Sequence, residues 1–216
     1  VFLFLIVSFL IGERSNFLKV LIMILLFSFL FEKKFYKSKI ILFSSFFIFI
    51  FLVIKTNDQY NKRFMNLFVN QYLKNPIEKI FNSEHGGHYL TALKVYDNNK
   101  LFGVGFKNFR HESFHRQVNL GENIAITTHP HQIHFEFLSE LGIFGYVIMI
   151  SFFIYTIIDG FRIYKVKKDR TSLAASFFIL ATILPLLPSG SFFTTYGATI
   201  FWINFSFILK EKLKLK

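Results

Sequence analysis

No cysteine occurs anywhere in the 216 residues. That excludes disulfides and thiolate metal sites, so any segment outside an apolar core must be held by packing alone. Ahead of the first apolar block the chain has no starting Met, no basic n-region and no cleavage site. The block therefore reads as a helix cut midway, with an N-terminal portion expected before it, and not as a signal peptide. Internal repeats and low-complexity linkers are also lacking. Ionisable groups are nearly missing from the apolar blocks, where Lys19 and Asp159 stand alone near block ends. A cation transporter would be expected to place such groups inside the membrane.

What is abundant is apolar. Hydrophobic residues make up 53% and aromatics 20% of the chain, and the mean hydropathy is +0.44, too apolar for an ordinary soluble domain of this length. The apolar residues fall into six blocks, Val1 to Ile11, Phe17 to Phe31, Ile40 to Ile54, Leu141 to Ile158, Ser172 to Leu187 and Phe192 to Leu209. The expected fold is an all-α integral membrane protein with about six transmembrane helices. The second and third blocks run to about 15 residues against the roughly 20 that a span prefers, so Lys19, Lys37 and Lys39 are expected to snorkel. Three segments, "EKKFYKSK", "DGFRIYKVKKDR" and "KEKLKLK", hold 13 of the 25 Lys+Arg and 4 of the 13 Asp+Glu. With six spans they share one side, which the positive-inside rule makes cytoplasmic. Three helices over 1–54, an external loop over 55–140, and three helices with a basic tail over 141–216 follow from that count. The net charge of +12 is then topological. Its partner is the anionic headgroups of membrane lipids, and no nucleic acid is expected.

All seven histidines lie between His85 and His134, in the external loop. Within it, "IEKIF" and "HYLTALKVYDN" read as amphipathic helical turns, "NKLFGVGFKNFR" as a glycine-kinked stretch and "QVNLGENIAITT" as irregular chain. Gly103 and Gly105 are no dinucleotide fingerprint, because no third glycine follows at the required place and no βαβ unit surrounds them; they are expected to bend the loop toward the membrane. In "THPHQIHFEFLSELGIFG" Thr128 is a plausible N-cap and Pro130 suits a first helical turn. Carried on at helical period, His131, Gly142 and Gly145 project within about 60° of one another, with the imidazole about 16 Å above the glycines. Glycines three apart let another helix approach closely, so this spacing aims His131 into a cleft between helices. Glu136 and Glu140 fall on a different face, expected to be solvated or to contact lysine.

"HQIHFEFLSELGIFG" fits the pattern of His, then Asn, Ser or Gln, then nine residues, then Gly-x-x-Gly, and resembles the signature of bacterial O-antigen ligases. "LFGVGFKNFR" is similar to the "fGxGxxxF" element of the wider O-antigen ligase and polymerase superfamily, and "GERSN" to its short Arg-containing turn. The likeness covers nearly the whole chain, as the C-terminal portion of a longer family member. It implies an all-α, GT-C-like membrane glycosyltransferase with one large, mainly helical periplasmic loop, in the bacterial inner membrane. Such an enzyme moves a glycan from undecaprenyl pyrophosphate to a sugar hydroxyl of lipid A-core in lipopolysaccharide biosynthesis, with no metal or other cofactor. A polymerase would use the same donor and a lipid-linked glycan as acceptor. The His-Gln-x9-Gly-x-x-Gly spacing favours the ligase; Gln132 departs from the Asn that is frequent in the superfamily.

A sugar hydroxyl is a poor nucleophile until a base removes its proton, and a histidine titrates near working pH. His131 is the candidate base. A leaving pyrophosphate needs its developing charge stabilised, for which Arg has the best fork of donors. Arg14 matches the family pattern for that role, with Arg110 and its rival Arg116 as further candidates on the loop; alone, Arg14 is as well explained as an interfacial anchor. His88 is a candidate for lining the cleft. His129 and His134 read as supports of the loop, His134 also as a cleft residue, and His85, His111, His115 and, in its other reading, His88 as solvated. A different class of function would use His129, His131 and His134 as nitrogen ligands of a divalent-metal transporter or sensor.

Overall fold

The structure, a computed structural model, describes residues 2–31, 34–66, 83–115, 119–120, 123–124 and 127–214. The chain separates into two compact units, Val1–Ile80 and Phe81–Lys216.

The first unit opens with α1 (Phe2–Ile11) and turns at Gly12, whose positive φ of 77° suits a residue without Cβ. α2 (Arg14–Leu26) follows and widens into a π turn over Phe27–Phe31. α3 spans Tyr36–Thr56, longer at both ends than its apolar block, and its 21 residues reach about 32 Å. Lys39 therefore lies within the helix, and its Nζ donates to the Ser28 carbonyl at 3.0 Å. Asn57 ends α3 and caps the next turn, accepting from the Gln59 and Tyr60 amides at 3.0 and 3.3 Å. The core is Leu5 and Phe9 with Phe46, Ile50 and Ile54.

In the second unit α4 (Glu84–Asn98) and α5 (Phe109–His115) precede a two-residue antiparallel pair, β1 (Asn119–Leu120) and β2 (Asn123–Ile124). That pair lies where irregular chain was expected, while "IEKIF" falls outside the described residues. Then come α6 (Ile133–Lys167), α7 (Arg170–Thr182) and α8 (Thr195–Leu213). Ser83, Asp169 and Thr194 are side-chain N-caps for α4, α7 and α8. Phenylalanines of α6 meet those of α8 and of the connection before it, Phe153 stacking on Phe201 at 4.4 Å and Phe137 meeting Phe192 edge-on at 5.4 Å. α6 and α7 lie close together at Gly160, where a Cβ would fall 1.9 Å from Ser176 Oγ. Small residues make a tight helix seam there, near the far end of α6 from the glycines where one was expected.

Among the described residues three helical stretches are long and apolar enough to cross a membrane: Arg14–Phe31, Tyr36–Thr56 and Ile133–Lys167. The other apolar blocks also form helix, as α1 with 10 residues, α7 with 13 and α8 with 19. Ile41, Leu52, Val147 and Ile148 are exposed, an arrangement that lipid would cover.

Candidate functional site

α6 begins at Ile133, four residues later than an N-cap at Thr128 predicts. The cap is Gln132, with φ −156° and ψ 128°, whose side-chain oxygen accepts from the His134 and Phe135 amides at 2.7 and 3.2 Å. Its amide nitrogen reaches the Leu184 carbonyl at 3.5 Å. Immediately before it His131 takes a left-handed conformation, φ 57°, which is uncommon for a residue with a Cβ. Its carbonyl accepts from the Ser189 amide at 2.7 Å, so the connection between α7 and α8 fixes the turn. The helical stripe expected from His131 through Gly142 to Gly145 does not form. It is broken once at His131 and again at Gly142, whose φ of 64° and ψ of −172° interrupt α6.

At that second break the two glycine motifs interlock. Without continuous helix, the Ser139 and Glu140 carbonyls are open to the loop, and they accept from the Val104 and Gly105 amides at 3.0 and 2.8 Å. In return the Ile143 amide donates to the Lys100 carbonyl at 2.8 Å. A Cβ on Gly103 would lie 2.3 Å from the Glu140 carbonyl carbon, and one on Gly142 would lie 2.4 Å from that of Leu101. The partner admitted by these glycines is thus the loop of residues 100–105, not a helix. Glu140, expected near solvent, is 2% exposed, and its carboxylate accepts from the Lys107 amide at 2.7 Å. Tyr89 stacks on Phe135 at 4.7 Å, and Val95 and Phe109 pack with Phe135, which seats α4 against the start of α6.

This packing gathers imidazoles. Around His131 the ring centroids of His129, His88 and His85 lie at 4.1, 5.0 and 5.6 Å. His85 and His88 sit one turn apart in the first turn of α4, 6.3 Å between rings. Burial, and then the influence of His129, His88 and His85, lowers the pKa of His131 to about 4; burial also lowers that of His129. Both groups are therefore neutral bases at neutral pH. His85, read as solvated from sequence, belongs to the cluster. The signal was available, since H-x-x-H after an N-cap serine puts two rings on one helical face.

His134 points elsewhere. Its Nδ1 is 3.1 Å from the Tyr146 hydroxyl and its Nε2 is 2.8 Å from the Ile183 carbonyl, so both ring nitrogens are engaged within the protein. Glu136, expected on a solvated flank, is 1% exposed. Its carboxylate accepts from the Ser191 hydroxyl and, at 2.8 Å, from the Phe192 amide. Ser189, Ser191 and Phe192 make "PSGSFF" a strap over the histidine turn. None of the groups of His, Asp and Glu among the described residues is arranged to hold a metal ion.

Of the arginines, Arg110 is exposed and its Nε donates to the Lys107 carbonyl at 3.1 Å. Arg116 lies outside the described residues. Arg14 belongs to the first unit, where it starts α2 and reaches the Arg63 carbonyl at 3.5 Å.

No curated protein and no solved structure matches the chain. A family model described as O-antigen ligase does match, over residues 1–150, a stretch that contains Arg14, the interlocked glycines and the whole histidine cluster. On that match the chain belongs to the O-antigen ligase family.

Proposed function

We propose that this integral membrane protein is an O-antigen ligase that moves a glycan from undecaprenyl pyrophosphate to a lipid A-core sugar hydroxyl, with His131 as general base. The observation that carries the assignment is the turn at His131, which holds a neutral imidazole among three others. An acceptor hydroxyl beside the ring gives its proton to His131 as its oxygen bonds to the anomeric carbon. The bond from that carbon to the pyrophosphate breaks, undecaprenyl pyrophosphate leaves with the electron pair, and the imidazolium returns its proton to solvent. A base of low pKa is always unprotonated but weak. The anionic donor corrects this, because negative charge nearby raises the pKa of an imidazole. From the family pattern Arg14 is assigned to stabilising the pyrophosphate, and Arg110 is a second cation on the loop.

The reading also takes six spans, with the basic segments in the cytoplasm and the loop of residues 55–140 on the periplasmic face of the inner membrane. Support comes from the six helical blocks and the clustering of charge on three connections. No metal takes part in this mechanism. The test is transfer from a lipid-linked glycan to lipid A-core by the purified full-length protein in EDTA, compared with His131→Ala. Transfer that survives the chelator and falls about 10²–10⁴-fold in the variant is expected. Lengthening of the lipid-linked glycan without transfer to lipid A-core would make the protein a polymerase. Absence of both reactions would overturn the glycosyltransferase assignment.

A further inference from the structure

We propose that His85, His88 and His129, gathered around His131, form an anion subsite for the pyrophosphate of the lipid-linked donor, and that these three take up protons as the donor binds. The inference rests on the donor class proposed above and goes beyond it in assigning three further histidines and a proton count. The geometry comes first. Four imidazoles from two elements surround one another at 4.1–6.3 Å, and two of them stand in the first turn of α4, where the helix dipole favours negative charge.

The first turn of α4 carries one further ionisable group, Glu84, ahead of His85. Residues 127–132 contribute histidines alone as ionisable groups, and the strap of residues 188–194 contributes none. On α6, Glu136 is occupied by Ser191 and Phe192, and Glu140 by the Lys107 amide. α5 brings Arg110 and His111, both exposed, and Glu112, which is half-buried. Uncharged imidazoles cannot neutralise a pyrophosphate. A bound dianion favours the protonated form of the rings of His85, His88 and His129 and turns each protonated ring into a double N–H donor, while burial keeps His131 neutral for its role as base.

Linkage makes this measurable. Binding that takes up one proton tightens by about tenfold for each unit that pH falls through the relevant range. The donor is a suitable probe, because a pyrophosphate esterified at both ends lacks the group that titrates near pH 6 in a phosphate monoester. Its charge is constant while the histidines titrate. The experiment is the Kd of the lipid-linked glycan donor for the full-length protein in detergent, from about pH 8 to about pH 5.5, with His85→Gln, His88→Gln and, as control, His111→Gln.

The expected result is a Kd at least about tenfold tighter at the acid end for wild type and His111→Gln. In His85→Gln, and in the double variant with His88→Gln, the change shrinks to less than about threefold. His85 is exposed, so its substitution leaves the fold intact and the single variant remains informative. A flat wild-type profile, or full pH dependence in the double variant, overturns the subsite. If transfer still depends on His131 in that case, the ligase assignment stands without it; no donor binding at any pH overturns both.

Discussion

The two ends of α6 treat their carboxylates in opposite ways. Toward its C-terminal end Asp159 pairs with Lys212, and Glu211 of α8 pairs with Lys167 at 3.5 Å and with Lys214, with carboxylate side chains 12% and 18% exposed. Toward its N-terminal end Glu136 and Glu140 are 1% and 2% exposed and accept hydrogen bonds from backbone amides, with a serine hydroxyl added at Glu136. The first arrangement is charge meeting charge in partial contact with solvent. In the second, acidic groups serve as acceptors for irregular backbone that has no helix or sheet to satisfy it. The consequence falls on the histidines, because the nearby carboxylates are occupied by the chain itself. His131, whose pKa is lowered by burial and by the neighbouring imidazoles, stays neutral, as a base must be before reaction.

The contrast can be broken from the site end with the largest effect. Gly142→Ala would place a Cβ 2.4 Å from the Leu101 backbone at a φ/ψ that is essentially reserved for glycine. A loss of at least about 3 kcal/mol is expected, read as a lower thermal midpoint in detergent together with lost transfer. Glu136→Leu leaves the Ser191 hydroxyl and the Phe192 amide without their acceptor. Relief from burying a carboxylate offsets part of that, for a net cost of about 1–3 kcal/mol, and the loosened strap lowers kcat more than it raises KM. A Glu136→Leu enzyme with unchanged kcat would show that the strap does not hold the histidine turn. At the other end of α6, Asp159→Asn removes a partly exposed pair and should cost less than about 1 kcal/mol, with transfer unchanged. A loss comparable to that of Glu136→Leu would erase the distinction between the two ends.

Much of the architecture was legible because it follows from apolar periodicity. All six apolar blocks contain helix, and of the two glycines expected at a close approach Gly142 meets another segment while Gly145 meets only Leu141 of its own helix. What approaches was not legible. Spacing of three and four residues speaks of helix faces only if the helix is continuous, and Gly142 departs from helical φ/ψ. The start of α6 was misplaced for a related reason. Thr128 and Pro130 are good opening residues, yet Gln132 caps the helix with its own side chain while Ser189 holds His131 in a left-handed turn. Such a tertiary hydrogen bond leaves no local signature. The candidacy of His131 did not depend on that start, because it came from the motif, whereas His85, exposed as expected, was missed as a neighbour of His131 because the helical face it shares with His88 was not considered.

The most direct test of the account is the titration of His131 in the donor-free, full-length protein, followed by NMR of histidine ring nitrogens and assigned by His131→Gln. Burial and the neighbouring imidazoles lower its folded-state pKa below the unfolded value, so the unfolded chain binds more protons between about pH 4 and 6.5 and folding stability falls as pH drops through that window. The account predicts a His131 signal that remains neutral until about pH 4 and an acid sensitivity of the thermal midpoint that His131→Gln reduces. A His131 midpoint at or above the ordinary histidine value of about 6.5 would contradict it, for the ring would then have a counterion and would not be the neutral base that the transfer requires.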